Sequence, residues 1–237
     1  MSIMVFRFEF LLLGLVACGS AAPPPAPTPS AVPLEGTMAQ HFDEVSRLQE
    51  AVIGGRLEEA RTAALELANG LRDADHPPGW HVFLQDVRAG AWTAARATDL
   101  PTAARGVARA AAACGDCHAA MGLVATRVDE DAVAPPSGGL REYMMRHNWA
   151  VGRMWTGLVA PSDDAWREGA TVVGEAGAFP LPKALAADPA VSALAARLAT
   201  TGALAATATS SRERAQTYGE LIGDCAGCHR RIGDVMD

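Results

Sequence analysis

Two short stretches carry the residues that could do chemistry: Cys114-Gly115-Asp116-Cys117-His118 and Cys225-Ala226-Gly227-Cys228-His229. Both read C-x-x-C-H, the spacing by which a polypeptide takes up a c-type haem covalently. That chemistry needs two thiols for the vinyl groups on one porphyrin edge, and an imidazole beside them for the iron. On a helix, positions i, i+3 and i+4 share a face, so two sulfurs and a ring nitrogen can meet one flat group. Other chemistries use only part of the pattern. A four-cysteine zinc site takes two C-x-x-C pairs but does not call for a histidine after each. A thioredoxin-type dithiol takes one pair in a βαβ context that is absent here. The chain has 5 cysteines, and the two motifs account for all but Cys18. The implication is two covalently bound haem c groups, on Cys114 and Cys117 and on Cys225 and Cys228, with His118 and His229 as proximal iron ligands.

The elements that must present these motifs read as helices. Met38, His41, Val45, Leu48 and Val52 recur at helical spacing until Gly54-Gly55, and a second helix follows from Arg56 to Leu71. After the turn at residues 75–79, Trp80, Leu84, Val87 and Ala91 mark a third helix. Asp99 and Pro101 open a fourth that runs through Cys114 and His118. A polar, Pro/Gly-rich stretch at residues 126–139 then separates a second pass of the same plan. There Leu140, Tyr143, Met144, His147, Val151, Met154, Trp155 and Leu158 form the first stripe, which Pro161 ends. Ser162 can cap the next helix, and Asp188-Pro189 opens another after a loop with Pro180 and Pro182. Ser210-x-x-Glu213 is a capping box for the last, which carries Cys225, Cys228 and His229. The expectation is an all-α chain of two tandem four-helix bundles, 38–125 and 140–237, joined by the linker at 126–139. The alanine run from Ala103 to Ala113 leaves room for a flat prosthetic group, which should fill much of each core.

A four-helix unit with C-x-x-C-H on its last helix resembles the cytochrome c′ family and its low-spin relatives. The resemblance rests most on Arg214-x-x-x-Tyr218-x-x-Leu221-x-x-x-Cys225-x-x-Cys228-His229, and in architecture it extends over each half. It implies haem bundles that carry electrons or bind gases and that often dimerise through helix pairs. Here the second copy is in tandem, so either a homodimer or an intramolecular pseudo-dimer is implied. In the family the distal face is an apolar pocket, and in low-spin relatives a methionine of the first helix ligates.

The distal candidates in this chain are His41 and His147. They align as His41-x-x-x-Val45-x-Arg47-Leu48 against His147-x-x-x-Val151-x-Arg153-Met154, each inside the apolar stripe. Recurrence on the helix expected to cover each haem favours bis-histidine ligation. Met38 and Met144 also align, one turn earlier, and are the alternative ligands; a vacant distal face is the third option. His76 and His81 have no counterpart in the second half and read as turn or surface residues. Arg47 and Arg153 read as solvated, and the tryptophans as packing groups.

The N-terminus reads as an export signal over residues 1–18, with Arg7 before the apolar run Phe10 to Ala17. That run is too short to span a bilayer. It ends Leu15-Val16-Ala17-Cys18, which resembles the lipobox of bacterial lipoproteins and implies lipidation at Cys18. Gly19 follows where an aspartate would mark inner-membrane retention, so an outer-membrane anchor facing the periplasm is implied. Residues 19–37 are rich in proline and form a tether of polyproline II character.

Net charge is −7 and no basic stripe is present, which disfavours nucleic acid as a partner. An acidic surface suits basic redox partner proteins, while Cys18 supplies contact with the lipid bilayer. The reading is a lipid-anchored dihaem electron carrier and not an enzyme. Gas binding at an open distal site is its alternative, and peroxidase-type activity is a minor third, since no acid/base set accompanies either motif.

Overall fold

The computed structural model describes residues 34–73, 76–123, 139–175, 181 and 183–236. Among them every regular element is helical and no strand occurs. The first half holds α1 (Leu34–Ile53), α2 (Leu57–Gly70), α3 (His81–Ala95) and α4 (Leu100–Ala120), with a 3₁₀ turn at Pro78–Trp80 before α3. The second holds α5 (Leu140–Val159), α6 (Asp163–Gly174), the single turn α7 (Lys183–Ala186), α8 (Pro189–Ala205) and α9 (Ser211–Met236). The signal segment at 1–18, with Cys18, lies outside the described residues, as do most of the tether and linker. Helix α1 takes in Leu34–Thr37, residues that the sequence reading gave to the tether.

The helix ends follow from local chemistry. The Asp99 carboxylate accepts from the Thr102 N–H at 2.7 Å, and that of Asp188 from Ala190 at 2.8 Å. The Ser162 hydroxyl accepts from Ala165 at 3.3 Å. The capping box on α9 is reciprocal: Glu213 N–H donates to Ser210 Oγ at 3.2 Å, and Ser210 N–H to Glu213 Oε2 at 3.0 Å. Helix α1 stops where Gly55 adopts φ 74°, a left-handed conformation that suits a residue without Cβ. Helix α5 stops at Pro161, which has no N–H to extend the ladder.

Within each half, sequence neighbours pack: α1 on α2, α2 on α3, α3 on α4, then α5 on α6, α6 on α8, α8 on α9. The two C-terminal helices, α4 and α9, pack on each other as extensively as any pair in the molecule. The first helices also cross over, α5 touching α4 and α1 touching α9. One hydrophobic core therefore runs through both halves, from Val45 and Leu67 to Leu221 and Ala226. Two ion pairs repeat across the halves: Arg47 to Glu66 on α2 at 3.2 Å, and Arg153 Nε to Glu168 on α6 at 3.0 Å. Arg153 is buried, whereas the sequence reading left it solvated, and its partner Glu168 is exposed.

The alanines of α4 serve a purpose different from the expected one. Of the run from Ala103 to Ala113, only Ala113 faces the cleft beside the first motif. The others let helices approach. A Cβ built on Gly106 would lie 2.6 Å from the Ala94 nitrogen, and one on Gly219 would lie 3.4 Å from the Ala108 Cβ. Close packing of backbones, not space for a ligand, is what these small residues provide.

Candidate cofactor sites

Helix α4 delivers Cys114, Cys117 and His118, and α9 delivers Cys225, Cys228 and His229. Each set opens onto its own apolar cleft. The first is lined by Met38 and His41 of α1 together with Leu67, Trp80 and Phe83. The second is lined by Met144 and His147 of α5 together with Leu181, Leu194 and Leu198. The structure thus brings the candidate ligands Met38, His41 and His118 to the first cleft and Met144, His147 and His229 to the second. The two cysteine pairs stay in separate clefts, so no site of four cysteines is assembled. Among the described residues no cluster of three or more His, Cys, Asp or Glu side chains suits a metal ion.

The histidine that ends each motif is held through Nδ1. His118 Nδ1 lies 2.8 Å from the Val159 carbonyl, and His229 Nδ1 lies 2.8 Å from the Ile53 carbonyl. Carbonyl oxygens only accept, so in both rings Nδ1 carries the proton and donates. Nε2 is then the basic nitrogen left for a metal, the tautomer that second-sphere partners impose on histidine ligands. Both carbonyls are helix C-terminal, where the ladder leaves oxygens unpaired.

The thiols sit in surroundings that disfavour thiolate. Burial pushes those of Cys114 and Cys225 up to about 12, in each case reinforced by the second cysteine of the pair. Cys117 and Cys228 are raised too, mainly by burial. Zinc sites and reactive dithiols require the anion, whereas a thioether carries no charge. The donor set fits covalent attachment better than either rival.

The far side of each cleft differs in detail. His147 is buried, and its Nε2 has no hydrogen-bond partner. Burial, with Arg146 and His229 as lesser causes, pushes its pKa down to about 4, so the ring is neutral at pH 7. Tyr143 packs edge-on against it at 4.0 Å between ring centroids. A buried neutral imidazole with an unsatisfied nitrogen costs free energy unless something meets it. An iron-bearing plate in the same apolar cleft would do so, and by this measure the residues fit haem. His41 is half-buried and stacks on His76, with centroids 5.2 Å apart. Its pKa is also lowered, first by burial and then by His76. His76 lies in the turn between helices, one of the two expected places, but is buried: Nδ1 contacts the Arg72 carbonyl at 2.8 Å, while Nε2 is unpartnered. His81 contacts the Asp73 carbonyl at 3.0 Å and does not line the cleft.

Sequence reasoning missed Ile53, Val159, Tyr143 and Gly115. Ile53 and Val159 were legible in one respect, since each ends the first helix of its half at the same spacing after His41 and His147. Gly115 lies against α5, where an added Cβ would come 2.1 Å from the Leu158 carbonyl. Comparison with protein-family models, curated proteins and solved structures returns no match.

Proposed function

We propose that the chain is an exported, lipid-anchored dihaem c-type cytochrome that transfers electrons and has no substrate chemistry of its own. In this reading each half is a four-helix haem bundle of the kind the cytochrome c′ family resembles. Cys114, Cys117, Cys225 and Cys228 hold two haem c groups, His118 and His229 are the proximal ligands, and His41 and His147 are the distal ones. One observation carries it: each C-x-x-C-H motif shares an apolar cleft with an imidazole from the first helix of its own half. Haem, when bound, supplies the one-electron chemistry of its iron. The protein's part is to hold two imidazoles in place at each site and to exclude water with apolar walls. Such ligation leaves no open position and favours a lower potential than His/Met ligation. Met38 and Met144 line the same clefts and are the rival distal donors. Export, lipidation at Cys18, an outer-membrane location facing the periplasm and basic redox partners complete the proposal on sequence grounds.

A second reading, gas binding at an open distal face, draws support at the first site, where His41 is already stacked on His76. Optical spectra of the purified soluble domain test both, taken oxidised, reduced, and reduced under carbon monoxide. Two covalent haems by mass and a low-spin reduced spectrum indifferent to the gas are the expected result. A high-spin spectrum that shifts with carbon monoxide would displace His41 and His147 as ligands and favour the second reading.

A further inference from the structure

We propose that the backbone carbonyls of Ile53 and Val159 position the metal-binding histidine of the opposite half, so that α1 and α5 each serve both sites. The inference rests on reading His118 and His229 as iron ligands. Its starting point is a crossed pair of contacts: the second-half His229 donates to Ile53 of the first half, and the first-half His118 to Val159 of the second. Both acceptors are the last residues of their helices, at the negative end of the macrodipole and without an intrahelical partner. An oxygen of that kind is a strong acceptor for a ring N–H. Donation fixes the ring plane and makes Nε2 more basic toward a metal.

Side chains and packing repeat the crossing. Ile53 lines the second-half cleft, and Val159 lines the first-half cleft. The residue after the first cysteine of each motif presses on the same foreign helix end. Gly115 meets the Leu158 carbonyl, and the Ala226 carbonyl would lie 3.1 Å from a Cβ on Gly55. The first contact accounts for glycine at 115, and the second leaves little room for a side chain at Gly55. From His41 to Ile53, and from His147 to Val159, is the same number of helical residues, about 18 Å of rigid helix at 1.5 Å per residue. Each first helix therefore carries the distal candidate of its own site and, at its far end, the anchor of the other site's proximal ring. A shift of α1 reaches both sites, and neither proximal side is complete without the other half.

The test uses the full-length, haem-loaded chain carrying Ile53→Ala or Val159→Ala, with solvent exchange of the two proximal ring N–H protons followed by NMR. Truncation beside the carbonyl admits water to the bond. Ile53→Ala should speed exchange at His229 roughly ten-fold and leave His118 unchanged, and Val159→Ala should do the reverse. Gly115→Ala, which pushes α5 away from α4, should speed His118 alone. If Ile53→Ala loses helicity, Ile53→Val carries the same test with a smaller trim. For Ile53→Ala and Val159→Ala, an effect confined to the substituted half's own histidine, or absent from both, overturns the inference while haem stays covalently attached. Absence of covalent haem from the unsubstituted chain overturns instead the reading on which the inference rests.

Discussion

In the second-half cleft, His147 is 8 % exposed, faces Tyr143 edge-on and leaves Nε2 unpaired. In the first-half cleft, His41 is half-buried and lies flat against His76, a ring with no counterpart across the pseudo-repeat. The same donor types on the same elements are therefore held in different shells. The cause lies in the connections. The first half reaches its third helix through a turn bearing His76 and Trp80, which packs on His41. In the second, Leu181 and Leu185 of the longer crossing line the cleft instead. Repetition of the candidate ligands sets the kind of site, and the loops that are not repeated set how each imidazole is restrained.

The largest effect that would separate the sites comes from removing the distal imidazoles one at a time. With the bis-histidine reading, His147→Ala and His41→Ala should each convert one of the two haems to a form that binds carbon monoxide, seen as half of the total spectral change. Met144→Leu and Met38→Leu should leave the spectrum unaltered. If the methionine variants bind the gas and the histidine variants do not, the ligand assignment exchanges.

A second asymmetry lies where the halves meet. Tyr218 of α9 is fully buried, and its hydroxyl accepts from the Gln49 side chain of α1; the corresponding positions in the repeat are Val107 and Trp155. Tyr218→Phe would leave Gln49 buried without its acceptor, at an expected cost of about 1–3 kcal/mol in chemical denaturation. Adding Gln49→Leu should return much of that loss, because both polar groups are then gone. A full loss in the double variant would mean the ring packing, not the hydrogen bond, carries the energy.

The smallest effect concerns the caps of the two motif-bearing helices. Asp99 on α4 and Glu213 on α9 both have lowered pKa values, through hydrogen bonds to Thr102 and to Ser210 and Thr209. A carboxyl with a depressed folded-state pKa contributes stability above its unfolded pKa and loses it as pH falls through the folded value. Asp99→Ala and Glu213→Ala should each lower Tm by about 2–4 °C at pH 7 and by less below pH 4. Equal losses at both pH values would show that these side chains act through packing and not through charge.

Helix order, caps and stops were legible because each depends on residues within a turn of one another: Asp99 before Pro101, Ser210 before Glu213, Gly54-Gly55 and Pro161 after apolar stripes. The composition of each candidate site was legible for the same reason, since C-x-x-C-H and the stripe containing His41 or His147 are local patterns. The short α7, the burial of His76 and the use of the α4 alanines were not. Each depends on which surface the chain meets after folding. Periodicity reports that a face is apolar, not whether a helix or a cofactor will cover it.

What the sequence determined by itself is therefore an all-helical chain in two passes, with a pair of thiols and an imidazole at the end of each. Tertiary structure alone decided that the passes share one core, and that the histidine ending each motif leans on the opposite half. The reason is physical. A helix leaves its last carbonyls unpaired whatever its sequence, and only the packing of α4 against α9 brings Val159 and Ile53 to the ring nitrogens that can satisfy them.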